Sequence, residues 1–172
     1  MNTRHLLLWA SLALTMPLAA QTPQEDFKRD ITLSGSNYVA YRGPQKQLTP
    51  APKGYKPFYL SHYGRHGSRF MIGKKAYDVP YFSLLKAKQE GKLTAKGEET
   101  LAKVKMIREE ARGRDGELTP LGALQHQGIT RRMMERFPEI FAGNTNIEAR
   151  STLVIRCILS MENGLQQMLR MN

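Results

Sequence analysis

Arg65-His66-Gly67-Ser68-Arg69 places one imidazole between two guanidiniums. Arginine keeps its charge at every working pH, and its planar fork of N–H donors fits two oxygens of a phosphate at once. A neutral imidazole carries a lone pair that can attack phosphorus. Gly64 and Gly67 bracket the histidine, and glycine lets a backbone turn sharply and come close to a ligand. The chemistry these residue types suit is phosphoryl transfer through a phosphohistidine. The alternative is a surface loop with solvated arginines.

Several elements must position such a site. Phe58-Tyr59-Leu60, opened by Pro57, is apolar and aromatic and predicts a short buried strand that ends at the site. Strand ends in open α/β sheets are where ligands bind. A loop is expected from Phe70 to Val79, then a short helix opened by Pro80, with Tyr81, Leu84 and Leu85 on one face and Gly91 at its end. Two helix starts share a form, Leu93-Thr94-Ala95-Lys96-Gly97 and Leu118-Thr119-Pro120-Leu121-Gly122. In each, the threonine hydroxyl can cap a free N–H of the first turn, and Pro120 stands where a missing N–H does no harm. The first of these helices carries Leu101, Val104, Ile107 and Ala111 on one face and ends near Gly113. The second carries Gly122, His126, Ile129, Met133 and Phe137, and Pro138 stops it. His126 reads first as a packed, hydrogen-bonded histidine and second as a ligand.

Gly143-Asn144-Thr145-Asn146 is a loop signal. Ile147-Glu148-Ala149 predicts a second strand, and Thr152 is the expected cap of a helix running from about Leu153 to the end. Leu153, Cys157, Met161, Gly164 and Met168 would mark its core face. Arg156 then falls in the first turn, where free N–H groups and the positive end of the dipole favour phosphate. If the two strands are parallel neighbours, Arg65, His66, Arg69 and Arg156 meet at one sheet edge. Arg150 is near enough to join them or to serve a structural role.

Arg65-His66-Gly67-Ser68-Arg69 resembles the R-H-G-x-R signature of the histidine phosphatase superfamily, in its acid phosphatase and phytase branch. Leu118-Thr119-Pro120-Leu121-Gly122 is similar to that family's helix start, and Arg156-Cys157-Ile158-Leu159-Ser160 to the R-x-x-x-S run that carries a further phosphate-binding arginine. The approach from Tyr55 to Tyr63 looks most like secreted bacterial relatives of multiple inositol polyphosphate phosphatase. Met71 stands where many acid phosphatases have proline. The resemblance covers roughly residues 55 to 170. It implies an α/β fold of three layers, a mainly parallel sheet with flanking helices, of which this chain would be the N-terminal part. It implies His66 as nucleophile, with Arg65, Arg69 and Arg156 on the phosphate, and no metal or organic cofactor. Family members are usually more than twice this length, and their later part supplies a second histidine followed closely by an acid that protonates the leaving oxygen. After Arg156 this chain has Glu162 and no histidine, so the proton donor is missing and the chain reads as incomplete.

The remaining composition fits that class. The chain has 172 residues, 41% hydrophobic and 24% charged, with no repeat or low-complexity run, as expected of one globular domain. Arg4, an apolar stretch through Leu18 and the small residues Ala19-Ala20 read as a secretory signal peptide over residues 1–20. A retained anchor is the alternative, although the apolar run is short for a membrane span. The expected product is exported, periplasmic or extracellular, without stable membrane insertion. Residues 21–54 hold many turn formers and read as an extended arm pinned by Tyr38, Val39 and Tyr41, followed by the domain at 55–172. Cys157 is the one cysteine, so no disulfide forms within the chain, and no Cys/His spacing suits a metal. The net charge of +11 fits a polyanionic, phosphorylated small molecule. It could also fit nucleic acid, but no basic stripe interleaved with aromatics supports that partner. The expected function is an exported phosphomonoester hydrolase, on phytate-like inositol polyphosphates or other phosphomonoesters. An inactive phosphate-binding fragment and a phosphoglycerate mutase-like transferase are the alternatives.

Overall fold

The computed structural model describes residues 22–41, 43–44, 46 and 49–171. The segment read as an export signal lies outside the described residues. The chain divides into two compact units, Met1–Ala40 and Tyr41–Asn172.

In the first unit, helix α1 spans Pro23–Arg29, and a 3-10 helix follows at Ile31–Tyr38. The Thr22 N–H donates to the Glu25 carboxylate (3.1 Å), one half of a capping box. The Asp30 carboxylate accepts from the N–H and the hydroxyl of Thr32 (2.9 and 2.6 Å). These local side-chain bonds wind a stretch whose turn formers suggested an extended arm. Tyr38, an expected anchor, is 80% exposed.

The second unit contains helices α2 (Lys75–Gln89), α3 (Ala95–Glu110), α4 (Pro120–Arg136), the short α5 (Pro138–Phe141) and α6 (Ile155–Met171). Thr94 and Thr119 cap α3 and α4 by accepting from Gly97 N–H and Gly122 N–H, each at 3.1 Å. Helix α2 starts earlier than Pro80 suggested. Pro80 lies inside it, one and a half turns in. The preceding turn is anchored instead by tertiary contacts. Tyr77 is buried and its hydroxyl accepts the Met71 N–H (2.7 Å). Asp78 pairs with Arg108 of α3 (2.6 Å), whose guanidinium also lies over the Tyr81 ring at 4.9 Å. Those contacts offset the one helical bond that proline removes.

The second pair, α4 and α6, packs through small residues. A Cβ on Gly164 would stand 3.0 Å from the Thr130 hydroxyl, and Gln127 donates to Asn163 across the seam (2.8 Å). Helix α6 begins two residues later than Thr152 could cap, with Val154 carbonyl accepting from Cys157 and Ile158.

The expected three-layer α/β fold with a parallel sheet is not what forms. Among the described residues the only β feature is an isolated antiparallel bridge between Arg69 and Leu118, and the rest of the regular structure is helical. Both runs read as strands, 57–60 and 147–149, are irregular, and Phe58 is 95% exposed. A strand exists only through the ladder it makes with a neighbour, and neither run has one. Among the described residues the buried apolar side chains are few: Tyr77, Leu101, Ala111 and Met134.

Candidate functional site

The Arg65–Arg69 loop is held by α4 and α6. Gly67 is buried, and its N–H donates to the hydroxyl of Ser160 (3.1 Å). That hydroxyl in turn donates to the Arg156 carbonyl one turn earlier in α6 (2.7 Å). The Ser68 N–H donates to Gln125 of α4 (2.8 Å). The Ser68 carbonyl accepts twice from Thr119, from its N–H and its hydroxyl, both at 2.9 Å. Thr119 thus caps α4 and clasps the loop with one side chain.

Two glycines make that contact possible. A Cβ on Gly67 would lie 2.3 Å from the Gly122 carbonyl oxygen, and one on Gly122 would lie 2.2 Å from the Ser68 carbonyl oxygen. Backbone meets backbone at this point, and no side chain fits between. The Leu-Thr-Pro-Leu-Gly start of α4 is therefore a docking surface for the loop as well as a cap.

An open cleft of about 910 Å³ lies beside the loop. It is lined by residues of α4 and α6 and of the segments 58–66 and 140–152. His62, Arg65, His66 and His126 line it, together with Arg150 and Glu148. The His66 ring donates from Nδ1 to the Gly67 carbonyl (2.8 Å). A carbonyl can only accept, so Nδ1 carries the hydrogen, and in the neutral ring the lone pair is then on Nε2. His126 donates from Nε2 to the Arg65 carbonyl (3.1 Å). Half-burial pushes the His126 pKa below its ordinary value; the Arg65 carbonyl opposes this, and the fields of His62 and His66 reinforce it.

The four expected site residues separate into two pairs. Arg65 and His66 face the cleft. Arg69 and Arg156 are not among the residues that line it, and both meet the segment 116–118 instead. Arg69 bridges Leu118 through its backbone and donates a guanidinium N–H to the Phe70 carbonyl (2.8 Å). Arg156 donates to the Gly116 carbonyl at a long 3.4 Å, and its Nε is buried with no protein partner. His126, for which the sequence put a ligand role second to a packed one, and Glu148, to which it gave no site role, are both cleft residues. The helical spacing that put His126 among apolar residues also put it one turn from Gly122, the loop's docking point. Arg150 pairs with Glu148 in a short ion pair, and Glu148 is the one carboxylate among the described residues that line the cleft. Among the described residues no group of three or more His, Cys, Asp or Glu side chains could hold a metal ion. No helix among them is long and apolar enough to cross a membrane.

No family model matches the chain, and no curated protein matches it.

Proposed function

We propose that the cleft binds a phosphoryl group and that the protein is a phosphomonoesterase of the histidine phosphatase type, working through a phosphohistidine on His66. The observation that carries this reading is the His66 ring. Its Nδ1–H is committed to the Gly67 carbonyl, so in the neutral ring the lone pair is on Nε2, and His66 lines an open cleft together with Arg65. In the first step Nε2 forms a bond to phosphorus as the bond to the leaving oxygen breaks. In the second, water attacks the phosphohistidine, the N–P bond breaks and inorganic phosphate leaves. Arginines neutralise the equatorial oxygens as charge shifts across them. That Arg65 lines the cleft with His66 supports this role. Arg156 brings a buried Nε–H that lacks a partner, a costly state for a charged group that an oxyanion would relieve. Arg69 is assigned to the oxyanion by its place in the motif alone; it does not line the cleft, and its guanidinium donates to the Phe70 carbonyl. The reading also takes the chain to be exported and its substrate to be a phosphorylated small molecule of phytate-like kind.

A binding-only reading has one observation in its favour. Glu148, the cleft's carboxylate, is engaged by Arg150 and exposed, so among the described residues that line the cleft no carboxylate stands free to protonate a leaving alkoxide. The two readings differ in how rate depends on the leaving group. An aryl phosphate with an acidic phenol departs without a proton, whereas an alkyl phosphate needs one. A trapped, acid-labile phosphoprotein after incubation with the aryl ester, absent in His66→Ala, supports the enzyme. Phosphate binding with no phosphoprotein and no turnover of either ester would leave a binding protein.

A further inference from the structure

We infer that His126 is a positioning residue for Arg65, holding the arginine at the cleft through its backbone carbonyl. The inference rests on the phosphoryl reading of the same site. Between Lys56 and His66 the Arg65 carbonyl is the one main-chain group with a hydrogen-bond partner among the described residues, and the partner is the His126 ring. Tyr59 and Tyr63 are exposed and Phe58 is almost wholly so, so packing does not fix this run. The next tether is at Gly67, through Ser160. Arg65 therefore has one neighbour held by the Gly67 clasp and a free approach on its other side, with His126 as its own anchor.

The anchor is well built for that task. His126 stands one turn after Gly122, against which the loop docks backbone to backbone. Its neighbour Gln125 holds the Ser68 N–H (2.8 Å), so two consecutive side chains of α4 grip the loop at both ends. Because Nε2 is the donor, His126 need not be charged to work. The fields of His62 and His66 favour the neutral ring, the Arg65 carbonyl favours the charged one, and Arg150 and Glu148 line the same cleft. A main chain held before the ligand arrives leaves only the Arg65 side chain to be ordered when an oxyanion binds, which lowers the ordering cost.

The test uses the whole chain, with orthovanadate and inorganic phosphate as probes. Histidine-ring nitrogen NMR on the wild type should find the hydrogen of His126 on Nε2. His126→Leu should weaken vanadate binding by about tenfold, the scale of one lost hydrogen bond that orders a charged group. His126→Gln, whose amide N–H has a similar reach, should return the affinity to within about threefold of wild type. His126→Leu binding vanadate as tightly as wild type overturns the inference alone. So does a His126→Gln protein as weak as His126→Leu, since that pattern marks loss of packing. If His126→Leu does not fold, the ring spectrum and His126→Gln decide: a hydrogen on Nδ1 of His126 overturns the inference. A wild type that binds neither probe overturns the phosphoryl reading itself, and with it the role given to Arg65.

Discussion

Gly67 and Gly122 touch backbone to backbone: a Cβ added to Gly67 would stand 2.3 Å from the Gly122 carbonyl oxygen and 2.6 Å from its Cα. This contact seats the Arg65–Arg69 loop on the first turn of α4, and everything the cleft can do depends on it. Gly122→Ala should therefore cost about 1–3 kcal/mol or more, because backbone must move to make room. Gly128 lies in the interior of the same helix, and a Cβ there would meet only the flexible end of Arg132, at 3.2 Å. Gly128→Ala should stabilise by about 0.5–1 kcal/mol through helix propensity alone. Denaturant midpoints of the two variants should move in opposite directions. A shift of the same sign in both would mean that the loop does not dock on α4 as described.

Ser160 joins the loop to α6. It is 2% exposed, accepts from Gly67 N–H and donates to the Arg156 carbonyl. Ser160→Ala leaves the buried Gly67 N–H without an acceptor and should cost about 1–3 kcal/mol. Ser160→Thr keeps the hydroxyl and tests whether the loss is chemical. Equal stability of Ser160→Ala and wild type by urea titration would remove this link.

Arg156 is the sequence's own bet for the phosphate site, and its position in the fold is two-sided. Its guanidinium reaches the Gly116 carbonyl, yet Nε is buried without a protein partner. Arg156→Lys keeps the charge and loses the planar fork. Vanadate binding should weaken by about tenfold while the helical circular dichroism is retained. Unchanged affinity would assign Arg156 to the 116–118 segment alone and leave Arg65 and His66 as the site.

His126 links stability to pH. Its pKa in the folded chain is lowered, chiefly by burial, from an ordinary value of about 6.5. Between the lowered value and about 6.5 the unfolded chain binds more protons than the folded one, so folding loses free energy as pH falls through that window. The contribution is whole above about 6.5 and declines below it. Melting temperatures measured downward from neutral pH should fall, and His126→Gln should flatten that part of the curve. A wild-type curve with the same slope as His126→Gln would show that the ring is not held in its neutral form.

What the sequence alone determined lies within a turn or two of the residues concerned. Thr94 and Thr119 cap their helices because the hydroxyl and the N–H it accepts are three residues apart, and such bonds need nothing from the rest of the chain. Glycine at 67 announced a close approach to a ligand, whereas what it meets is the backbone of Gly122, a glycine read only as part of a helix face. Pro80 shows the limit of local rules, since Tyr77 and Asp78 find partners elsewhere that carry α2 past it. The sheet failed as an expectation for the opposite reason. Apolar runs at 58–60 and 147–149 state a preference for extended chain, but a strand requires a second backbone, and no local pattern shows whether one is present. Likewise, only the folded chain could bring Gly67 to Ser160, 93 residues away, or place Arg65 and His66 on the cleft while setting Arg69 and Arg156 against the 116–118 segment. Residue types carry chemistry by themselves; which of them share a surface is decided by how α4 and α6 pack.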